Sequence, residues 1–93
     1  MDTNSFESFE KQARAEGFNE VTQRTWEPDT VLPEHTHPFD ASAVVVQGEM
    51  WLTCEGTTRH ITSGGTFTLL KDTPHAERYG SQGASYWVAR RNR

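Results

Sequence analysis

The sequence has little of what usually stabilises a small domain. Only one of its 93 residues is a cysteine, so no disulfide framework can form, and a lone thiol fits the reducing cytoplasm, where we expect the protein to act. Large aliphatic residues and Phe are scarce: four Leu, one Ile, six Val and five Phe make 16 residues. Such scarcity indicates disorder only when the net charge is high. The formal net charge is −4, so we expect one folded domain with a thin core.

Long apolar runs and basic stripes are also missing. No apolar run approaches the roughly 18 residues of a membrane span, and the polar, acidic first residues do not resemble a signal peptide. Nine basic residues against 13 acidic ones argue against nucleic acid as a partner. The basic end, residues 90–93, is expected to be a solvated tail. We therefore predict binding to neither membranes nor nucleic acids.

Helical periodicity is confined to the N-terminal segment. Residues 4–16 are predicted to form one short helix, with Asn4 as its N-cap and an apolar stripe along one side. A helix this short needs a sheet to lie against. We therefore assign residues 1–19 to the helix and its lead-in, packed on a single β-domain that spans residues 20–93.

The rest of the chain has the composition of strands. Eleven of the twelve Thr residues lie beyond residue 21, among Val and aromatic residues that favour pleated structure. Turn-forming residues, including Gly48 and the segment 80–83, break the region about every 8–12 positions, which is typical of all-β sandwiches and barrels. The candidate strands are 20–26, 30–32, 34–37, 42–47, 49–54, 58–61, 66–70, 75–79 and 85–90.

Three of the four histidines form a candidate metal site. His35 and His37 are two residues apart, and in a strand such residues point to the same face. Taken alone, the pair fits a polar strand face as well as a metal site. His75, which opens another predicted strand after Pro74, adds a third imidazole if the barrel brings the strands together. Nitrogen ligands of this kind suit Fe(II), Ni(II), Zn(II), Cu(II) or Mn(II).

Two segments resemble the cupin superfamily. Residues 33–40, followed by 44–49, are similar to its first motif, and residues 65–70, followed by 73–77, are similar to its second. The resemblance covers residues 31–88. It implies a small antiparallel β-barrel of jelly-roll type, often dimeric, with a divalent metal inside, Fe(II) in the first place. The family's ligand positions carry over to His35, His37 and His75.

The chain departs from the family pattern at two positions. Ala41 stands where the family usually has a carboxylate ligand, and Tyr79 stands where an Asn often ends the second motif. The site is then a three-histidine site, or it uses Asp40 or Glu77 as a fourth ligand, or it has lost its metal. Asp40 follows the turn-forming residues Pro38 and Phe39, and an Asp in a turn more often forms a hydrogen bond with its own backbone than with a metal ion.

Glu77 and Tyr79 share a strand face with His75. An inward Glu77 needs a partner, because an unpaired buried charge is costly. It could ligate the metal, support a histidine N–H, or pair with an arginine such as Arg59 or Arg90, and we favour the last two roles over ligation. Either Glu77 or Tyr79 could donate or accept a proton during catalysis.

Two other reactive side chains are left out of the site. His60 has no matched partner, so we expect it on the surface. Cys54 has no identifiable base, so we interpret it as a small buried residue.

The segment 43–46 is apolar on both faces. One face should line the barrel, and the other needs the helix, a second sheet or another subunit to cover it. From this, and from the family's habit, we expect a homodimer.

Three functions remain open at this stage. The first is an enzyme, a metal-dependent oxygenase acting on a small polar molecule, although the resemblance extends to cupin isomerases and lyases. The second is a non-catalytic module that binds a small ligand, like the sugar-sensing cupin domains of some transcription regulators. The third is a cupin whose metal is purely structural.

Overall fold

The computed structural model describes residues 5–92. One helix precedes six strands, and all strand pairings between them are antiparallel. The elements are α1 (Phe6–Ala15), β1 (Glu20–Trp26), β2 (Val31–His35), β3 (Phe39–Cys54), β4 (Thr57–Thr62), β5 (Thr66–Leu69) and β6 (His75–Asn92).

Two strands are much longer than the sequence pattern predicted. Gly48 was expected to separate two strands, but β3 runs through it, and β6 likewise runs through the predicted turn at 80–83. The register between β3 and β6 shifts on both sides of Gly48, which is the signature of β-bulges. The glycines therefore bend the strands and do not end them.

The bends divide the sheet into two halves that share β3 and β6. The first half of β3 pairs with β5 and with the second half of β6, which also carries β1. The second half of β3 pairs with β4 and with the first half of β6, which also carries β2. Trp26 in one half stacks on Tyr79 in the other, with ring centroids 5.2 Å apart. This arrangement confirms the expected all-β architecture of antiparallel strands.

The core lies on the inner faces of the two halves. It is built from small and aromatic side chains as well as aliphatic ones, which explains how so few large aliphatic residues suffice. The buried cluster consists of Ala41, Ala43, Val45, Met50, Leu52, Ile61, Phe67, Leu69, Tyr79, Ala84, Tyr86 and Val88.

Helix α1 packs on the outer face of the first half. Phe6 and Phe9 contact the ring of Trp87, with centroids 5.8 and 6.0 Å away. The N-cap is Ser5, whose hydroxyl accepts a hydrogen bond from the Ser8 N–H. The predicted cap, Asn4, lies outside the described residues.

The helix also bears on the expected homodimer. Val44 lies opposite Trp87 in the sheet, and α1 covers that part of the outer face. From its sequence, the second apolar face of segment 43–46 required the helix, a second sheet or another subunit to cover it. Because the helix covers this face, a second subunit is not needed there, and the homodimer remains a prediction. In residues 5–92, no helix is long and apolar enough to cross a membrane.

The close approach of β3 and β6 at Gly48 gives a test of the fold. Gly48 has φ +77°, and a Cβ there would lie 2.2 Å from the Gly83 carbonyl oxygen. Gly56 has φ +79° but open space around it. We expect Gly56→Ala to lower the free energy of unfolding by about 1 kcal/mol, from the backbone conformation alone. Gly48→Ala should lower the free energy of unfolding by about 3 kcal/mol or more, because the clash of the new Cβ with the Gly83 carbonyl oxygen is added to the backbone strain.

Urea denaturation of both variants measures the difference. Equal losses of unfolding free energy would contradict the close contact between the two bent strands.

Candidate metal centre

Strand pairing brings two of the three histidines together. His35, the last residue of β2, lies directly opposite His75, the first residue of β6, and their ring centroids are 4.4 Å apart. His37 lies just beyond β2 and not within it, in the segment that leads to β3. Its ring is 4.9 Å from each of the other two. One nitrogen from each imidazole lies within 4.8 Å of the others, the separation expected of a metal site.

His37 reaches the cluster through its own supports and not through strand alternation. Its carbonyl accepts a hydrogen bond from the Asp72 N–H at 2.8 Å, which ties the segment to the turn before β6. Its ring stacks on Phe39, with centroids 4.8 Å apart. These contacts position a side chain that lies outside a regular strand.

Backbone carbonyls orient the other two rings. Nδ1 of His35 lies 2.7 Å from the Pro33 carbonyl oxygen, and Nδ1 of His75 lies 2.9 Å from that of Thr73. A carbonyl oxygen can only accept, so each Nδ1 carries the hydrogen. In the neutral rings each Nε2 is then an acceptor. Ligating histidines in metalloproteins are held by the same kind of hydrogen bond.

Glu77 adds a carboxylate oxygen to the same place. Its Oε2 lies 3.2 Å from Nε2 of His35 and 3.5 Å from Nε2 of His75. His75 Nε2 is buried and makes no hydrogen bond with any residue in 5–92. Two acceptor nitrogens and a carboxylate oxygen therefore face one another, and a cation is what such a group lacks.

The surroundings favour a metal ion over a proton at His37. Burial lowers the pKa of this imidazole, and the neighbouring His75 and His35 lower it further. His37 is therefore neutral at pH 7, which is the form that binds metals.

Tyr79 holds Glu77 in place. Its hydroxyl donates a hydrogen bond to Glu77 Oε1, leaving Oε2 to face the histidines. Burial, above all, raises the pKa of Tyr79, so the phenol stays protonated and acts as a donor. Tyr79 is fully buried and is not among the residues that line the cavity beside the histidines.

Asp40 is not brought to the histidines. Its buried carboxylate accepts hydrogen bonds from the Lys71 N–H at 2.8 Å and from Arg91 Nε at 3.3 Å. The next residue, Ala41, is the one that lines the cavity. Because successive residues of a strand face opposite sides, Asp40 points away from it.

A cavity of about 110 Å³ adjoins the histidines. Its walls are largely apolar, with two arginines and Glu77 as the charged groups. The lining residues are Arg24, Trp26, Leu32, His35, His37, Phe39, Ala41, Phe67, Leu69, His75, Glu77, Tyr86, Val88 and Arg90.

The sequence indicated Arg90 only as one possible partner of Glu77 and indicated no role for Arg24. Among residues 5–92, Arg90 forms its ion pair with Glu20 and not with Glu77.

The prediction that residues 90–93 form a solvated tail is wrong for Arg90, which lies in β6, and for Arg91, which is paired with Asp40. The signal was available in the alternation of Tyr86, Val88 and Arg90 on one face. Arg24 lies on the same inner face of β1, opposite Tyr86.

The residues left out of the site lie elsewhere or at its rim. His60 is exposed, and its Nε2 forms a hydrogen bond with Glu49 Oε1 at 2.7 Å. Cys54 is half-buried and lies opposite His75. Arg59 does not pair with Glu77, because its guanidinium donates to the Thr66 carbonyl at 2.9 Å.

Solved structures with this fold are numerous but distant in sequence. KdgF from Halomonas sp. superposes with a TM-score of 0.70 at 22% identity, covering 78% of this chain and 67% of that one. An RmlC-like cupin from Shewanella frigidimarina superposes with a TM-score of 0.67 at 18% identity, covering 78% of this chain and 66% of that one. A structure described under DMSP lyases superposes with a TM-score of 0.70 at 22% identity, covering 76% of this chain but 37% of that one. At these identities the likeness shows the fold alone.

A comparison with curated proteins finds none that matches this sequence. A family match covers most of the chain: residues 18–89 fit the AraC-like ligand-binding domain. This range includes all three histidines, Glu77 and Arg24, and it ends one residue before Arg90. The chain therefore belongs to the AraC-like ligand-binding domain family, which is of the cupin type.

Proposed function

We propose that His35, His37 and His75 bind one divalent transition metal ion, and that the adjoining cavity holds a small polar molecule beside it. The observation that carries this proposal is the buried Nε2 of His75, which faces other acceptors and has no hydrogen-bond donor among residues 5–92. Fe(II) is our first choice, with Ni(II), Zn(II), Mn(II) and Cu(II) as alternatives that suit imidazole ligands.

Glu77 is the carboxylate that stands in for the one missing at Ala41. Because the histidine hydrogens are on Nδ1, a neutral His35 has no Nε2 hydrogen to donate to Glu77. The separations of 3.2 and 3.5 Å are close to the roughly 3.0–3.4 Å expected between neighbouring ligands with metal bonds of about 2.1 Å. We therefore favour ligation by Glu77 Oε2 over the supporting role that the sequence suggested.

Within this site the chain's residues have separate tasks. The carbonyls of Pro33 and Thr73 fix the imidazole orientations, and Tyr79 fixes the carboxylate of Glu77. The apolar walls limit the water in the cavity. The ion itself would supply Lewis acidity and, if it is iron, redox chemistry.

Metal titration tests the ligand set. We expect the metal-free protein to bind one equivalent of Zn(II), and His75→Ala to weaken binding at least about 100-fold, because one nitrogen ligand is lost. Glu77→Gln should weaken it about tenfold, since an amide oxygen replaces a charged one. Isothermal titration calorimetry gives the affinities.

His60→Ala is the matched control, because His60 is exposed and pairs with Glu49. Wild-type affinity in His75→Ala, or an equal loss in His60→Ala, would contradict the site.

A double-mutant cycle tests the link between Tyr79 and Glu77. Without metal, Tyr79→Phe should lower the free energy of unfolding by about 1–3 kcal/mol, because a buried carboxylate loses its donor. In a Glu77→Leu background the same substitution should cost less than half as much. Equal costs in the two backgrounds, measured by urea denaturation, would show that the hydroxyl does not serve Glu77.

Oxygen consumption tests the enzymatic form of the proposal. We propose an Fe(II)-dependent oxygenase acting on a small polar molecule. With Fe(II) loaded anaerobically, a panel of small diketones, thiols and hydroxy acids should include a compound that consumes oxygen with the wild type and not with His75→Ala. Equal oxygen uptake by the two proteins would assign it to free iron.

Family membership favours a second candidate. The matched family is described by ligand binding, which fits a module that senses a small molecule without converting it. The two candidates differ in turnover: a sensor binds a panel compound and returns it unchanged, whereas the enzyme yields a product.

A further inference from the structure

A buried donor in the cavity, the Nε–H of Arg90, has no acceptor among residues 5–92. Within the same range of residues, His75 Nε2 is buried without a hydrogen bond as well, and both residues line the same cavity. The proposed metal ion accounts for His75, and the Trp26 indole N–H has a partner in the Tyr86 hydroxyl, since a hydrogen bond from Trp26 holds down the pKa of Tyr86. The Arg90 Nε–H remains unsatisfied. Such groups cost free energy when they are buried without an acceptor.

The two arginines of the cavity are weakly paired within the chain. Arg90 comes no closer than 4.0 Å to the half-exposed Glu20, which is beyond hydrogen-bond distance, and its guanidinium carbon lies 4.6 Å from the ring centre of Phe39. Arg24 lies over Trp26 at 4.8 Å, and residues 5–92 offer it no salt bridge. Both guanidinium groups are held by aromatic rings, which leaves their N–H edges available.

The arginines lie on one face of the β1–β6 pair. Arg24 is opposite Tyr86 and Arg90 is opposite Glu20, with the Thr22–Val88 pair between them. Two cationic side chains, one on each side of the Thr22–Val88 pair, therefore reach the cavity from the same face of the sheet.

The side chains that line the cavity carry a positive net charge, whereas the whole chain is negative. Arg24 and Arg90 outnumber the single carboxylate of Glu77, although the formal net charge of the protein is −4. A divalent ion at the histidines would make the cavity more positive. An anion is the ligand that balances this charge, and a planar guanidinium matches a carboxylate with two parallel hydrogen bonds.

We propose that the ligand of this cavity is a small carboxylic acid, whose carboxylate binds between Arg90 and Arg24 and whose remainder lies against the Trp26 ring that lines the cavity. The inference rests on the proposed function for the metal end of the cavity, but the arginines act independently of the metal. The volume of about 110 Å³ is well below that of pockets for drug-sized ligands, which excludes bulky acids.

Glycolate and its neutral amide, glycolamide, are the matched probes. With Zn(II)-loaded and with metal-free protein, glycolate should bind at least tenfold more tightly than glycolamide and shift the Trp26 indole resonance in ¹H–¹⁵N NMR spectra. Equal binding of the two probes would overturn the proposal. Inorganic phosphate is the third probe, and tighter binding of phosphate than of glycolate would overturn the choice of a carboxylate.

Variants separate this inference from the metal site. Arg90→Gln and Arg24→Gln should each weaken glycolate binding at least tenfold while Zn(II) still binds with one-to-one stoichiometry. Arg78→Gln is the control, because Arg78 lies on the same strand β6 but is exposed and stacks on Trp51 at 4.0 Å. Arg90→Lys keeps the charge and should lose part of the affinity even if Arg90→Gln fails to fold.

The two proposals fail in distinguishable ways. Loss of Zn(II) binding with preserved, arginine-dependent glycolate binding would overturn the metal site alone. Zn(II) binding with glycolate affinity that is the same in Arg90→Gln, Arg24→Gln and Arg78→Gln would overturn the carboxylate site alone.

Discussion

The pairing of β2 with β6 is the constraint on which the site depends. It places His35 directly opposite His75, and the carbonyls of Pro33 and Thr73 then fix the hydrogen of each ring on Nδ1. Both Nε2 atoms are thereby turned toward Glu77, in a position where neither has a hydrogen to give. The backbone thus holds a group of acceptors together, which is the preorganisation that the proposed metal site requires.

The rest of the fold keeps this polar group inside a small core. Aromatic contacts hold the two halves and the helix together. Trp26 stacks on Tyr79 across the two halves of the sheet, and Phe6 and Phe9 pack on Trp87 on the outer face. Beside the histidines, aliphatic side chains such as Leu69 and Val88 line a cavity and do not fill it. The scarcity of large aliphatic residues is therefore a consequence of the site occupying part of the interior.

Much of the fold and part of the site could be predicted from the sequence. The resemblance of two segments to the cupin motifs implied the jelly-roll architecture and the group of His35, His37 and His75, and the turn spacing had already indicated an all-β domain. The long strands could not be predicted, since Gly48 and the segment 80–83 have the composition of turns and only the partner strand decides that they are bulges. The role of Arg90 was lost for a related reason: a basic end resembles a solvated tail until its pairing with β1 is known.

The most direct test is ¹⁵N NMR of the histidine side chains while Zn(II) is added to the metal-free protein. We expect the resonances of Nε2 of His35, Nε2 of His75 and one nitrogen of His37 to change together and to saturate at one equivalent. The Nδ1 hydrogens of His35 and His75 should stay in place, and His60 should not respond. Unchanged Nε2 resonances for His35 and His75, or loss of their Nδ1 hydrogens, would contradict the arrangement of acceptors on which the account depends.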